Sequence, residues 1–129
     1  MTYMPYSAYI SHMTWGVDLH PEVANWLESL SDKDYLNVMA SLDALEIEGP
    51  KLGRPFVDHV KSSKHQNMKE LRPPGKHFRL LFAFDPARRA IFLVAGDKTN
   101  DWEGWYKRNI PIADKRFSEH LTSLKRRQK

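Results

Sequence analysis

The sequence predicts a single α+β domain: an antiparallel β-meander packed against an N-terminal helical hairpin, with a further helix at the C-terminal end. Three observations carry this. Two stripes of helical period lie side by side between Val23 and Leu45, two nearly continuous apolar runs follow at Phe78–Phe84 and Ala90–Ala95, and a last helical stripe closes the chain. Two consecutive helices and then a run of strands, within 129 residues, fit one sheet covered by helices.

Each element has its own signal. Thr14 to Leu19 alternates polar and apolar residues and reads as a strand. Pro21 suits a first helical turn, where a missing N–H costs nothing, and Val23, Trp26, Leu27 and Leu30 repeat at i, i+3, i+4, i+7. Ser31 and Asp34 resemble a capping box, and Tyr35, Val38, Met39, Leu42 and Leu45 form the second stripe. Gly49 and Pro50 end that helix. Lys51–Gln66 reads as a loop and Asn67–Arg72 as a strand, with Pro73-Pro74-Gly75 as the turn after it. Asp85–Arg89 joins the two apolar runs as a hairpin. Asp101 can cap a short helix ending near Lys107, and a separate helix starts near Asp114 with Phe117, His120, Leu121 and Leu124 inward. The expected order is β-α-α-β-β-β-α(α), with the sheet face opposite the hairpin at least partly open.

Three segments are expected. Residues 1–13 lack periodicity, and Ser11-His12-Met13 looks like a cloning scar, so they read as a poorly ordered extension or tag remnant. Residues 14–124 form the domain, and 125–129 a frayed basic tail.

Charge is unevenly spread. Residues 1–50 hold one basic residue, Lys33, and eight acidic ones, a net of −7; residues 51–129 hold 19 basic and eight acidic, a net of +11. Such segregation suggests a basic surface for a polyanion, the bland alternative being a solvated face with no partner. No apolar run approaches the roughly 20 residues of a membrane span, and the start of the chain has no secretory pattern. The absence of cysteine removes disulfides and thiolate chemistry and fits a reducing, cytoplasmic compartment.

The six histidines form no His-x-x-x-His pair, no acidic cluster offers a hard-cation cage, and there is no Gly-rich phosphate loop or Gly-x-Ser-x-Gly elbow. A function needing neither metal nor cofactor is expected. What remains is cationic. Strand alternation puts Met68, Glu70 and Arg72 on one face, with Lys69 and Leu71 on the other; Arg79, Leu81 and Ala83 share a face opposed to Leu80, Phe82 and Phe84. Lys98 lies just past the last strand, followed by Trp102, Trp105, Tyr106 and Lys107, of which one tryptophan is expected to be buried. Cations beside exposed rings suit RNA, contacting phosphate while the rings stack on unpaired bases. Arg79 could equally be structural, paired with Glu70 or Asp85.

The segments Asn67-Met68-Lys69-Glu70-Leu71-Arg72, Phe78-Arg79-Leu80-Leu81-Phe82, Ala95-Gly96-Asp97-Lys98 and Trp105-Tyr106-Lys107-Arg108 with Pro111, in this order, resemble the phage-derived HigB branch of the RelE toxin superfamily over about residues 14–124. That resemblance implies a type II toxin: a metal-independent endoribonuclease acting on mRNA on the ribosome, neutralised by a helix-turn-helix antitoxin. The 2′-OH of the RNA would attack the adjacent phosphate and leave a cyclic phosphate. By position it implies Arg72, Arg79, Lys98 and Tyr106 as catalytic residues. Lys61, Lys64, Lys69, Trp102, Lys107 and Arg108 are the candidate RNA contacts. Glu70 stands where the RelE branch proper carries a lysine, so no general base is assigned. Rival readings are a non-catalytic RNA- or ribosome-binding module and a protein-interaction domain.

Overall fold

The computed structural model describes residues 15–127; the expected N-terminal extension and the last two residues of the tail lie outside it. Strand β1 (Gly16–Leu19) leads into α1 (Pro21–Glu28) and α2 (Asp32–Glu48), then a 3₁₀ turn (Gly49–Lys51). Strands β2 (Val57–His59), β3 (Lys69–Leu71), β4 (Phe78–Phe84) and β5 (Arg89–Asp97) precede one long helix, α3 (Trp102–Arg127). The sheet order is β1-β5-β4-β3-β2, antiparallel throughout except that β1 runs parallel to β5.

The helix ends follow local chemistry. Ser31 Oγ accepts from Asp34 N–H at 3.2 Å, the half of the capping box that the sequence announces. Gly49 closes α2 at φ 59°, and a Cβ there would meet the Trp15 indole at 2.3 Å, so both its backbone and its neighbour require glycine. Across the sheet edge Arg89 fastens β1 to β5, its Nε and Nη2 donating to Asp18 at 2.5 and 2.6 Å.

Three expectations are corrected. Lys51–Gln66 is not all loop: Val57–His59 pairs with β3 as an edge strand, too short and too mixed for an alternation signal. The C-terminal region is one helix rather than two, with Pro111 inside it. Proline removes one ladder bond and costs about 3 kcal/mol in a helix interior, but Trp105, Ile110, Ala113 and Phe117 pack on the sheet from both sides of it. Pro111 and Lys107, whose carbonyl it leaves unpaired, are exposed to water. The helix also runs through Lys125–Arg127, so the frayed tail does not begin at 125.

Each sheet face has its own core. The hairpin side holds Val23, Leu27, Val38, Leu42 and Leu45 against Leu80, Phe82 and Phe92, with Phe82 and Phe92 stacked at 4.8 Å. Helix α3 covers part of the other face, packing Trp105, Ile110 and Phe117 on Leu81, Ala83, Ile91 and Leu93. Trp105 is therefore the buried tryptophan, and Trp102 remains 49% exposed.

A β-bulge decides what the second face displays near its end. Leu81 pairs with Val94 and Phe82 with Phe92, which leaves Leu93 without a partner on β4. Leu93 and Val94 consequently both join the α3-side core, and the alternation beyond them is inverted. Gly96, not Ala95, faces α3; a Cβ at Gly96 would meet Trp105 Nε1 at 2.7 Å. The same inversion turns Lys98 to the α3 side. The bulge residue's carbonyl is not orphaned, because Arg116 Nη1 donates to Leu93 O at 2.6 Å.

Candidate RNA-binding cleft

Cross-strand register builds the site. Asp58 pairs with Glu70 and Glu70 with Leu81; the same β3–β4 register, carried one residue past Leu71, sets Arg72 level with Arg79, which pairs with Gly96. Paired residues of an antiparallel ladder share a face, so two carboxylates and two guanidinium groups meet on the α3 side of the sheet.

Glu70, 3% exposed, is the centre of this group. Its Oε1 accepts from Arg72 Nε at 2.8 Å and lies 2.6 Å from Arg72 Nη2, which also reaches Asp58 Oδ2 at 3.2 Å. Burying a charge is costly without a partner, and Arg72 supplies it. Arg79 is held by Nη1 donating to Phe78 O at 2.7 Å, while its Nε and Glu70 Oε2 are buried without a hydrogen-bond partner. Asp85, the other acid considered for Arg79, instead caps the β4–β5 turn through Ala87 N–H and Arg89 N–H and takes His120 at 2.8 Å.

Lys98 and Tyr106 complete the group. Lys98 Nζ donates to Tyr106 Oη at 3.2 Å and sits 4.0 Å from the centre of the Trp102 ring. Burial, then the positive charge of Arg79, holds the Lys98 ammonium below its ordinary 10.5, with Arg72 adding to this and Glu70 opposing. The Tyr106 phenol is pushed up to about 12, first by burial and then by the Glu70 carboxylate beside it, with Arg79 opposing. The result is a lysine that gives up its proton more easily than usual beside a tyrosine that keeps its own.

Arg72, Lys98 and Tyr106 line one end of a cleft of about 1120 Å³ between β2, the β2–β3 loop and α3; Lys107 follows Tyr106 on the helix, and Lys61 and Lys64 line the cleft further along. Arg79 lies just beneath, against Tyr106. Trp102 is not among the lining residues; its ring lies against Lys98, edge-on to His77 at 4.8 Å. Of the six expected RNA contacts, Trp102 and two others do not line the cleft. Lys69 shares its face with Leu71 of the hairpin-side core, opposite Glu70, and Arg108 is paired with Asp101 outside the cleft. Glu70 was missing from the expected site, though a carboxylate on the face that carries Arg72 is a visible signal; His59 and Lys115 also line the cleft and carried no such signal.

A five-stranded sheet between an acidic hairpin and one long helix, with a cationic cleft between β2, the β2–β3 loop and that helix, is the architecture of a RelE-like domain. Two solved structures share the fold: RelE in the archaeal RelE–RelB complex from Pyrococcus horikoshii (TM-score 0.56, 20% identity, 68% of this chain and 99% of that one), and a mutant of the Escherichia coli toxin RelE in the free state (TM-score 0.60, 12% identity, 81% and 98%). Residues 25–118 match the family described as phage-derived protein Gp49-like (DUF891). A Mycobacterium tuberculosis protein named as toxin HigB3 is 52% identical over 108 residues, 84% of this chain and 95% of its own length. Another from that organism, named as toxin HigB2, is 47% identical over 113 residues, 85% of this chain and 56% of its own length. The chain belongs to the phage-derived Gp49-like family, with the HigB-like toxins, and it has the RelE-like fold.

Proposed function

We propose that this protein is the toxin of a type II toxin–antitoxin pair, an endoribonuclease that cleaves mRNA on the ribosome without a metal and is held inactive by a helix-turn-helix antitoxin. The observation that carries the reading is the convergence of Arg72, Arg79, Lys98 and Tyr106 around Glu70 at the end of a cleft lined by further lysines. RNA carries its own nucleophile. The 2′-oxygen bonds to the adjacent phosphorus, the bond to the 5′-oxygen breaks, and a 2′,3′-cyclic phosphate remains.

The protein's share is to orient the strand, stabilise charge on the phosphorane oxygens and move two protons. Arg79 and Arg72 face that charge; Glu70 keeps Arg72 in place, and the Phe78 carbonyl holds Arg79. Lys98, easier to deprotonate than an ordinary lysine, takes the 2′-OH proton in its neutral form. Tyr106, protonated up to about 12, supplies the proton for the leaving 5′-oxygen. Trp102 and Lys107 hold the neighbouring nucleotides by stacking and charge. The RelE–RelB complex of P. horikoshii supports an antitoxin partner for the family fold.

The test is to incubate the protein with translating ribosomes and excess chelator and to map mRNA ends. New 3′ ends carrying a cyclic phosphate are expected. Intact messages at saturating protein would leave a binding module. RNA affinity that does not change with salt would remove RNA as the ligand, since phosphate contacts release counterions.

A further inference from the structure

The β2–β3 loop has no strand of its own between Lys61 and His65, yet it is bolted to the middle of α3. Ser63 Oγ and Lys64 N–H (3.0 Å) donate to the two carboxylate oxygens of Asp114. His65 N–H donates to Ser63 Oγ at 3.0 Å, and His65 Nε2 lies 2.9 Å from Ser118 Oγ. The His65 ring meets Phe117 edge-on at 4.9 Å. Asp114 is only 6% exposed, and among the described residues it has no salt-bridge partner; the loop's N–H and O–H groups are what satisfy it. A buried carboxylate costs stability unless its oxygens are bonded. Here its two oxygens fix a loop that has almost nothing apolar to fix it: Lys61, Ser62 and Lys64 are exposed.

What the clamp presents is charge. Lys61, Ser62 and Lys64 line the cleft together with Lys115 and Ser118 of α3, the residues flanking the clamp on the helix. Three lysines outnumber the two carboxylates here, Asp114 and Glu119, and the first of these is engaged by the loop. Tyr106 and Lys115 are nine residues apart on α3, roughly 14 Å at about 1.5 Å per residue. A phosphate held at the clamp cannot be the one reacting beside Tyr106.

We propose that the loop fastened by Asp114, with Lys61, Lys64 and Lys115, is a second phosphate subsite that grips the same RNA strand away from the scissile bond. It rests on the reading of the cleft as an RNA site. Asp114 acts as a positioning residue: it touches no phosphate, and it holds the lysines in the geometry that does. Holding them beforehand lowers the ordering cost of binding.

The probe is labelled 2′-O-methyl RNA, whose nucleophile is blocked, as a dinucleotide and as a hexanucleotide. The hexanucleotide is expected to bind more tightly and with a steeper salt dependence, each extra neutralised phosphate adding about 0.7 to the slope of log affinity against log salt. Lys115→Ala should lower the hexanucleotide slope by about one contact and shrink the ratio of the two affinities. Asp114→Asn keeps every lysine and should shrink that ratio as well. A wild-type protein that binds both lengths equally, or variants that keep the full ratio, would overturn the subsite. A ratio lost in Lys115→Ala but kept in Asp114→Asn would overturn the role of Asp114. Failure of both probes to bind at any salt concentration would take the RNA reading down too, which distinguishes the two failures.

Discussion

The two faces of the sheet are made from the same strands and behave as different materials. On the hairpin face β4 and β5 contribute Leu80, Phe82 and Phe92, nearly all apolar, and the helices above are acidic on their outer side. On the α3 face the strands contribute Leu81, Ala83 and Leu93 at one end and Arg79, Glu70 and Lys98 at the other. Alternation lets one strand carry both programmes, since neighbouring side chains point to opposite faces everywhere except at the Leu93–Val94 bulge. The hairpin face can be packed for stability alone, which leaves the other face free to bury a charged group that contributes little to stability.

Mutations on the two faces should therefore separate stability from activity, and the largest effect belongs to the hairpin side. Phe82 is fully buried against Phe92, so Phe82→Ala should cost about 3–5 kcal/mol of stability. That is a large part of the 5–15 kcal/mol typical of a domain. Urea unfolding measures it, and cleavage per folded molecule should stay near wild type. A variant with normal stability would break the comparison.

Arg79→Ala is the converse. It should remove roughly 3 kcal/mol of transition-state stabilisation, a loss on the order of 100-fold in cleavage rate, and leave the fold in place. Glu70 still has Arg72 at 2.6 Å, so no carboxylate is left buried alone. Unfolding, or full toxicity in a folded protein, would make Arg79 a structural ion and move the site elsewhere.

Much of this contrast was legible in the sequence. The apolar runs that became β4 and β5, the cap at Ser31 and the stop at Gly49 are local signals, and the structure contains each of them. Arg72, Arg79, Lys98 and Tyr106 were named together by the resemblance, while the turn of Lys98 toward the other three depends on the bulge in β5. What stayed hidden is tertiary. Val57–His59 is a strand only because β3 lies beside it, and α3 passes Pro111 only because the sheet holds both of its halves. The bulge at Leu93 cannot be read from an apolar run with no polar residue to mark its parity, and its carbonyl is met by Arg116 from far along the chain. Lys69 was placed among the RNA contacts for its charge, against the alternation that puts it on the hairpin side.

Gly96 is where the two programmes touch. Its missing side chain lets Trp105 lie against β5, and Trp105 is followed directly by Tyr106. Gly96→Ala places a methyl 2.7 Å from Trp105 Nε1, and overpacking of this kind costs about 1–3 kcal/mol. Both stability and cleavage rate should fall, unlike either variant above. A fall in stability alone would show that the start of α3 can shift without disturbing the reacting groups.

The smallest effect is the most diagnostic of the buried charges, because it changes sign between two neighbours. Lys98 loses its proton in the folded protein below the 10.5 of an unfolded lysine. Between those two pH values the unfolded chain binds more protons, so this group makes stability rise with pH; below the folded value its penalty is present in full. Tyr106 acts in the opposite direction. Its phenol ionises at 10.0 in the unfolded chain and at about 12 in the folded one, so its contribution to stability falls across that interval. Lys98→Met removes the first group and keeps the second. Relative to this variant, the wild-type protein should be least stable near neutral pH and should close the gap as pH rises toward 10.5, measured by urea unfolding at stepped pH. In cleavage the wild-type rate should climb about tenfold per pH unit until neutral Lys98 predominates, then level off while Tyr106 still holds its proton. Lys98→Arg, which cannot deprotonate in this range, should abolish that climb. A stability gap that stays constant with pH would mean that Lys98 titrates like an ordinary surface lysine, and a pH limb that survives in Lys98→Arg would assign the proton transfer to another group.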